Sequence, residues 1–483
     1  MRPLSRPGST CWRLEPAGRA AVVVDGAAYF RLVKAAIAAA RYSILLLGWD
    51  FDPRIRLEPD RPDNSRPDQL GALLKRLLAE RESLHVHILI WDMVLPIAAN
   101  RRFVPQRARS WLRADRLYYR LDDRHPFGSC HHQKLLVIDD AIAFCGGMDF
   151  AGNRWDTPVH PDRDPRRRTP EGRAYQPRHD VMLAVTGAAA AALGDLARER
   201  WHRATGERIE PPPAGNRIWP EGLRAEFTDV PVAIARTEPA WHRQEEVREN
   251  EALFGAAIAA ARRWIYLESQ YVAAPGIAAA LAARLAAADG PEAVIVCPAH
   301  SPSYFDRLAM DPARAGFVRR LRAADRHGRF RILTPVAAFG TPIVVHSKVM
   351  VVDDRLLRVG SANLNNRSLG FDTECDLAIE AMPGEPGAGR VQEAIGRVLV
   401  RLLAEHLGVP TAELAATLER TGSLVATIDT LDRGSGRCLR PPTEPARTGL
   451  AAMIEVIHLF DPLGAADAWR PCRRLRSARP RSP

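Results

Sequence analysis

The chain has 483 residues, 46% of them hydrophobic, enough for one large or two ordinary domains with substantial cores. Met1 to Ala20 lacks the apolar h-region of a signal peptide, and no window approaches the roughly 18 uninterrupted apolar residues a membrane span requires. A net charge of +11 points to anionic partners without choosing among phosphate esters, acidic lipid surfaces and nucleic acid, while seven scattered cysteines with no C-x-x-C pair exclude a zinc knuckle or disulfide framework and fit a reducing cytoplasm.

Along the chain, the first expected element is a helix through Ala35–Arg41 (AAIAAAR), followed by a buried strand at Ile44–Leu47 that ends in Gly48-Trp49-Asp50. A second helical pattern leads to a strand at Val86–Ile90, and His132-Gln133-Lys134 then precedes four apolar residues, Asp139-Asp140 and Gly146-Gly147. The order repeats. Ala256–Arg262 is again AAIAAAR, Ile265–Leu267 ends in Glu268-Ser269-Gln270, and Ala293–Cys297 is the second strand. His346-Ser347-Lys348, Asp353-Asp354, Gly360-Ser361 and Asn363 complete the second copy, with Asp149 as the first-copy counterpart of Asn363. Helices alternating with buried strands imply an α/β sandwich in each copy. Pro211–Pro220 is the expected linker, so residues 1–210 form an N-terminal half and residues 221–409 a C-terminal half. A helical pattern over Val391–His406 ends at Gly408 and Pro410, leaving residues 410–483 as a C-terminal extension. Within it lie a Pro-containing linker (Arg440–Arg447), an apolar helix expected to pack on its own domain (Leu450–Phe460) and an Arg-rich tail (Arg470–Pro483).

The paired motifs carry the chemistry. Residues i and i+2 of a strand share a face, so His132 projects with Lys134 and His346 with Lys348. Two imidazoles and two ammoniums suit a phosphate diester: one neutral imidazole attacks phosphorus, the other protonates the leaving oxygen, and the lysines neutralise the phosphoryl oxygens. These are two of only four lysines in an Arg-rich chain, the others being Lys34 and Lys75, which suits a need for compact ammonium groups. A cation two residues from each histidine argues against metal ligation, and no metal or cofactor is expected. Asp139 and Asp353 close apolar strands and read as structural turn residues, and His131 beside the motif reads as structural. Trp49 reads as core, and the Pro- and Arg-rich stretch Thr157–Gln176 as a solvated loop.

The doubled H-x-K-x4-D text resembles the signature of the phospholipase D superfamily. CHHQKLLVIDDAIAFCGGMDF with Arg154-Trp155-Asp156, Pro177-Arg178-His179-Asp180, IYLESQYV (Ile265–Val272) and GSANLNNRS with Asp372-Thr373-Glu374 are similar to its conserved segments, and the resemblance runs from about residue 15 to residue 409. It implies two pseudo-symmetric α-β-α sandwich halves packed around one shared active site. It also implies His132 as the nucleophile forming a phosphohistidine and His346 as the general acid that later activates water or an alcohol. Glu374 and Asp180 would hold the far nitrogens of the histidines. Lys134, Lys348 and Asn363 would bind phosphoryl oxygens, and Ser361, Gly147, Glu268 and Gln270 would line the substrate. Asp149 departs from the Asn that many members carry. No counterpart is expected of the family's regulatory lipid-binding domains, N-terminal membrane helices or secretion signal.

The activity expected is hydrolysis or transfer of a phospholipid head group in the manner of phospholipase D, with a cardiolipin-synthase-like phosphatidyltransferase as the alternative. The enzyme would work in the cytoplasm, peripherally at the inner face of an anionic membrane, with no obligate protein partner. A family nuclease is the weaker reading: small nucleases of this type usually carry one motif per chain, and the basic residues here lack interleaved aromatics. A degenerate binding protein would have lost a motif element, and all are present.

Overall fold

A computed structural model describes residues 2–61, 68–93, 108, 112–382, 384–444 and 460–468. In the first half these form β1 (Arg13–Val24), α1 (Gly26–Ala38), β2 (Ser43–Gly48), α2 (Leu70–Glu80), β3 (His85–Trp91), β4 (Leu117–Asp122), β5 (Leu135–Ile138), β6 (Ile142–Gly146), β7 (Arg178–His179), β8 (Val181–Thr186) and α3 (Ala188–Thr205). The second half contains β9 (Phe227–Glu238), β10 (Val247–Arg248), α4 (Glu249–Ala260), β11 (Trp264–Glu268), α5 (Pro275–Ala286), β12 (Glu292–Val296), α6 (Tyr304–Ala324) and β13 (Phe330–Val336). It continues through β14 (Val344–Val345), β15 (Val349–Val352), β16 (Leu356–Gly360), α7 (Asn366–Gly370), β17 (Glu374–Glu380) and α8 (Ala388–Leu407), and then α9 (Thr411–Thr421), α10 (Leu424–Leu431) and β18 (Cys438–Arg440).

One sheet runs through both halves. From its centre outward the order is β1-β8-β6-β5-β2-β3-β4 on one side and β9-β17-β16-β15-β11-β12-β13 on the other, with β1 and β9 pairing antiparallel in the middle. Strands at matching positions belong to matching parts of the repeat, so the duplication seen in the residues is also a duplication of topology. In each half three strands, β2-β3-β4 and β11-β12-β13, are parallel, with α2 between β2 and β3, α5 between β11 and β12 and α6 between β12 and β13, and the inner strands are antiparallel. Alternation along the strands sorts the core into layers. Leu135 and Val137 join a cluster with Leu193 of α3 and Leu399 of α8, whereas Leu136 and Ile138 join Phe30 of α1 and Leu74 of α2 on the opposite face. In β15, Val349 and Val351 face the first of these clusters, and Met350 and Val352 face Leu253 of α4 and Leu281 of α5.

The structure adds elements that periodicity missed and redraws one boundary. Residues 411–440, expected as part of a separate extension, continue the second half: β18 extends the sheet beside β13, and Glu292 of β12 accepts from the backbone N–H groups of Leu424 and Val425. The Thr157–Gln176 stretch is not simply solvated. His160 and Arg167 are buried in it, and the Asp162 carboxylate accepts from Phe339 N–H and Thr341 N–H of the second half, both at 2.9 Å. The expected helix at Leu450–Phe460, except Phe460 itself, the end of the Arg440–Arg447 linker beyond Glu444 and the tail Arg470–Pro483 lie outside the described residues. No helix among the described residues is long and apolar enough to cross a membrane.

Both Asp-Asp pairs sit in tight hairpin turns with φ of 51° and 49° at Asp139 and Asp140 and 53° and 54° at Asp353 and Asp354. The two left-handed residues form the centre of a four-residue turn closed by Ala141 N–H on Ile138 O at 2.9 Å and by Arg355 N–H on Val352 O at 2.8 Å, and Asp tolerates that region better than bulkier residues. The first carboxylate of each pair then clamps the loop between helix and strand. Asp139 accepts from the N–H groups of Arg41, Tyr42 and Ser43, and Asp353 from those of Arg262, Arg263 and Trp264. Asp139→Ala therefore leaves one buried and two part-buried N–H donors without their acceptor and is expected to cost roughly 2–4 kcal/mol in urea denaturation, with a smaller loss for the more exposed Asp353→Ala. A cost near zero for both would remove the clamp from the account.

Candidate active site

Neither His-x-Lys triplet lies inside its strand. Each occupies the extended segment just before β5 or β15, because its backbone bonds across to the other half before entering its own ladder. His132 N–H donates to Thr373 O at 3.0 Å, and His346 N–H donates to His179 O at 2.8 Å. The residue after each of those carbonyls is a carboxylate aimed back at the same histidine. Glu374 lies 2.9 Å from His132 Nδ1, and Asp180 lies 2.8 Å from His346 Nδ1. The halves thus exchange carboxylates: each histidine stands on one half and is oriented by the other. Both lysines fold back onto the carbonyl of their own histidine, Lys134 at 2.8 Å.

The electrostatics show that the two half-sites share one space. Burial, then Lys134 and Lys348 together, hold the His132 ring well below the usual imidazole range. Burial, then Lys348, Arg178, Arg154 and Lys134, do the same to His346. Burial pushes Glu374 up to about 8 against the pull of Lys134, and it raises Asp180 against Lys348 and Arg178. A second proton on either ring is opposed by the cations, and a bare carboxylate is opposed by burial, so each pair holds one proton between Nδ1 and the carboxylate. Nε2 keeps its lone pair. Burial also takes Lys348 down to about 7 and Arg178 to about 9, Arg154 adding to the latter. A site with this many buried cations is a site for an anion.

Other groups complete the walls. Gln270 Oε1 accepts from Lys348 at 3.2 Å, and Asn363 is buried with its Oδ1 unpartnered. Burial would raise Asp149, but Lys134 at 3.5 Å, Arg154 and His132 pull it below its usual range. Trp49 is half-buried, stacks on Trp91 at 5.7 Å and meets His132 edge-on at 6.3 Å, so it lines the site where a core position was expected. The clamps set its register. Ser43 and Trp264 stand at equivalent positions, which makes Trp49, not Asp50, the counterpart of Gln270. His131 is fully buried at 2.9 Å from Asp122, a carboxylate also held by Arg200 at 2.6 Å.

Three expected substrate contacts sit elsewhere. Ser361 is fully buried beneath Glu374, donating its hydroxyl to Oε2 at 2.5 Å, which fixes the carboxylate. Gly147 lets the halves close: a Cβ there would run into the Asp180 carboxylate and lie 2.8 Å from the His346 carbonyl oxygen. Glu268 turns away into a buried network, accepting from Tyr266 at 2.6 Å and meeting His179 and His406 at 3.0 Å. That network continues from His179 to Glu405 at 2.8 Å and Asp25 at 3.2 Å, and from His160 to Asp156 at 2.8 Å. Two of its groupings, Asp25-His160-His179-Glu405 and His179-Glu268-His406, bring ligand atoms within 4.8 Å of one another. Their carboxylates, Glu268 and Glu405 among them, outweigh the cost of burial and hold His160 and His179 as cations, the protonation state that competes with metal ligation.

Arg154, Arg178 and the His179 network were not among the expected site residues. Arg154 and Arg178 stand inside the resembling segments and were legible there; Asp25 and Glu405 belong to no motif.

Comparison with known proteins follows the same lines. The family described as "Cardiolipin synthase, PLD-like domain" matches residues 255–386. Phospholipase D2 of Bos taurus is 36% identical over 134 residues, 28% of this chain and 14% of that protein. Cardiolipin synthase A of Proteus mirabilis (strain HI4320) is 28% identical over 249 residues, 52% of this chain and 44% of that protein. Phospholipase D beta 2 of Arabidopsis thaliana is 24% identical over 525 residues, 77% of this chain and 56% of that protein. The chain spans 56% or less of the length of these three relatives. Among solved structures, phosphatidylserine synthase of Haemophilus influenzae Rd KW20 shares the fold, with a TM-score of 0.54 at 14% identity over 79% of this chain and 88% of that one. Fold and site define an α/β protein with paired histidines in one cationic cleft. In sequence the chain is similar, over residues 255–386 and the stretches named above, to cardiolipin synthases and phospholipases D.

The His179 network makes a pH prediction. His160 and His179 are raised above the unfolded value of 6.5, so their stabilisation is complete below about pH 6.5 and is lost as pH climbs through their raised folded values. Glu405→Gln weakens the partner of both, so the stability gap between wild type and variant should narrow from pH 6 to pH 9 in urea titrations. A gap that stays constant would mean that the histidines carry no charge there.

Proposed function

We propose that the chain cleaves the head-group side of a phospholipid phosphodiester and passes the phosphatidyl group to water or to an alcohol. The exchange of carboxylates between halves carries this reading, because it supplies two oriented imidazoles facing one cationic space. In the first step Nε2 of His132 attacks phosphorus, the P–O bond to the head group breaks, and His346 gives the leaving oxygen its proton. His132 is the more open of the two, its side chain 13% exposed against 7% for His346, and it borders the Trp49–Trp91 wall. Burial, and then the charge of Lys348, Arg178, Arg154 and Lys134, otherwise keep His346 from holding an acidic proton on Nε2, and arrival of the diester anion offsets that charge. In the second step His346 takes a proton from the acceptor, whose oxygen displaces His132 from phosphorus. Asn363 and the lysines stabilise charge on the phosphoryl oxygens throughout.

Hydrolysis and transfer differ only in that acceptor. A phosphatidyltransferase resembling cardiolipin synthase is favoured by one observation, the family match over residues 255–386. The reaction belongs at a membrane surface, where a net charge of +11 favours an anionic leaflet on the cytoplasmic side.

Head-group release from mixed phospholipid vesicles with chelator present, and with and without glycerol or phosphatidylglycerol, tests the proposal. Release should survive the chelator and fall on the order of 10³-fold in both His132→Ala and His346→Ala. A wild type that releases nothing, yet cleaves nucleic acid or a simple diester with the same histidine dependence, would refute the lipid assignment. Release abolished by chelator would refute the metal-free mechanism.

A further inference from the structure

A second cleft, of about 770 Å³, opens between the halves, and none of the six histidine, lysine and carboxylate residues of the paired motifs lines it. Its size falls in the range of small-molecule sites, about 300–1,000 Å³. Val24 at the end of β1, Leu32 of α1, Leu223 from the connection between the halves and Val409 after α8 supply apolar walls, and Val159, 72% exposed, extends them at the mouth.

The charges around this apolar space are unbalanced. Glu226, one of the acids lining it, is already bound by Arg401 at 2.6 Å and by Val22 N–H at 2.7 Å. Glu405, the other, is taken up by His179 and His160 at 2.8 and 3.2 Å. Arg224 and Arg437 also line the cleft, and among the described residues neither joins an ion pair. Arg437 donates through one terminal nitrogen to Pro158 O, while its Nε and other terminal nitrogen are buried without an acceptor. Buried guanidinium donors without acceptors are costly, and a carboxylate or phosphate satisfies such a fork in two places at once. Glu405, Asp25 and Asp156 act on Arg437 from beyond ion-pair distance, so its free donors have no carboxylate in contact, and apolar walls beside such arginines call for a ligand with an apolar body and an anionic end.

We propose that this cleft binds a single-chain anionic amphiphile, a fatty carboxylate or an alkyl phosphate, with its chain along Val24, Leu32, Leu223 and Val409 and its head on Arg437 and Arg224. The site is separate from the histidine pairs and does not depend on the activity proposed above. Its Glu405 wall touches His179, whose carbonyl holds His346 in place.

Calorimetric titration of the full chain with decanoate, decyl phosphate, decanol and inorganic phosphate tests the proposal below the micelle range of each amphiphile. Saturable binding of decanoate or decyl phosphate, with decanol at least roughly tenfold weaker and inorganic phosphate not bound, is the expected result. The stronger of the two acids identifies the head group. Arg437→Gln should reduce the affinity for the acids to about that for decanol, and Ala28→Trp, which fills the space, should abolish binding of all three amphiphiles while leaving the cooperative thermal transition intact. No saturable binding, equal binding of decanol, or binding unchanged in Arg437→Gln would overturn the proposal, and the Arg437→Gln arm decides it even if Ala28→Trp does not fold. Binding retained by a folded Ala28→Trp would assign the amphiphile to another site and overturn it equally.

Discussion

Everything at the candidate site depends on one exchange: Glu374 of the second half reaches His132 of the first, and Asp180 of the first reaches His346 of the second. Neither half holds an oriented histidine alone. The exchange requires the halves to meet within hydrogen-bonding distance over a short stretch of backbone, and the rest of the fold meets that requirement. The sheet runs unbroken through β1 and β9, the strand pair β7–β14 brings His179 to His346, and a bridge sets His131 beside Thr373. Gly147 is the residue at the closest approach, where any side chain would push Asp180 and the His346 backbone apart.

The second organising feature is charge. Lys134, Lys348, Arg154 and Arg178 are all nearly inaccessible to solvent, and ions are not buried together without cost. The cost is stored where the proposed phosphodiester would relieve it. Behind His346 the balance is reversed: Asp25, Asp156, Glu268 and Glu405 surround His160 and His179 and hold them as cations, so the backbone that fixes His346 is itself fixed by ion pairs. The Arg178–Asp180 segment joins the cationic cleft to the anionic network, with Arg178 and Asp180 at the histidine site and His179 in the anionic network.

What the amino-acid sequence disclosed follows from the range of each interaction. The His-x-Lys pairs, the Asp-Asp turns and the duplication were legible because their geometry is set within a few residues. The Glu374 and Asp180 partners came from resemblance, since no local rule links His132 to a residue 242 positions away. Glu405 and Asp25 were not legible at all: their partner His179 lies 226 positions from Glu405, and neither residue has a distinctive neighbourhood. Periodicity missed β1 because Pro16 and Gly18 interrupt it and its first half is largely solvent-facing, although β9 pairs with it from Arg13 to Ala20. Glu268 misled for a physical reason. A carboxylate ending a buried strand must face something polar, but here that is a pair of buried histidines on the side away from the lysines.

The central claim is that one phosphodiester is held between two histidines, each oriented by the opposite half, with His132 forming the covalent bond. Acid-free quenching of the chain after brief exposure to a short-chain phospholipid, followed by mass mapping of phosphoramidate-bearing peptides, tests it most directly. The account predicts a phosphatidyl adduct on the peptide containing His132, lost in His132→Ala and much reduced in Glu374→Gln even though Glu374 lies on the other half. An adduct on His346 or on any other residue, or one on His132 that is indifferent to Glu374, would contradict it.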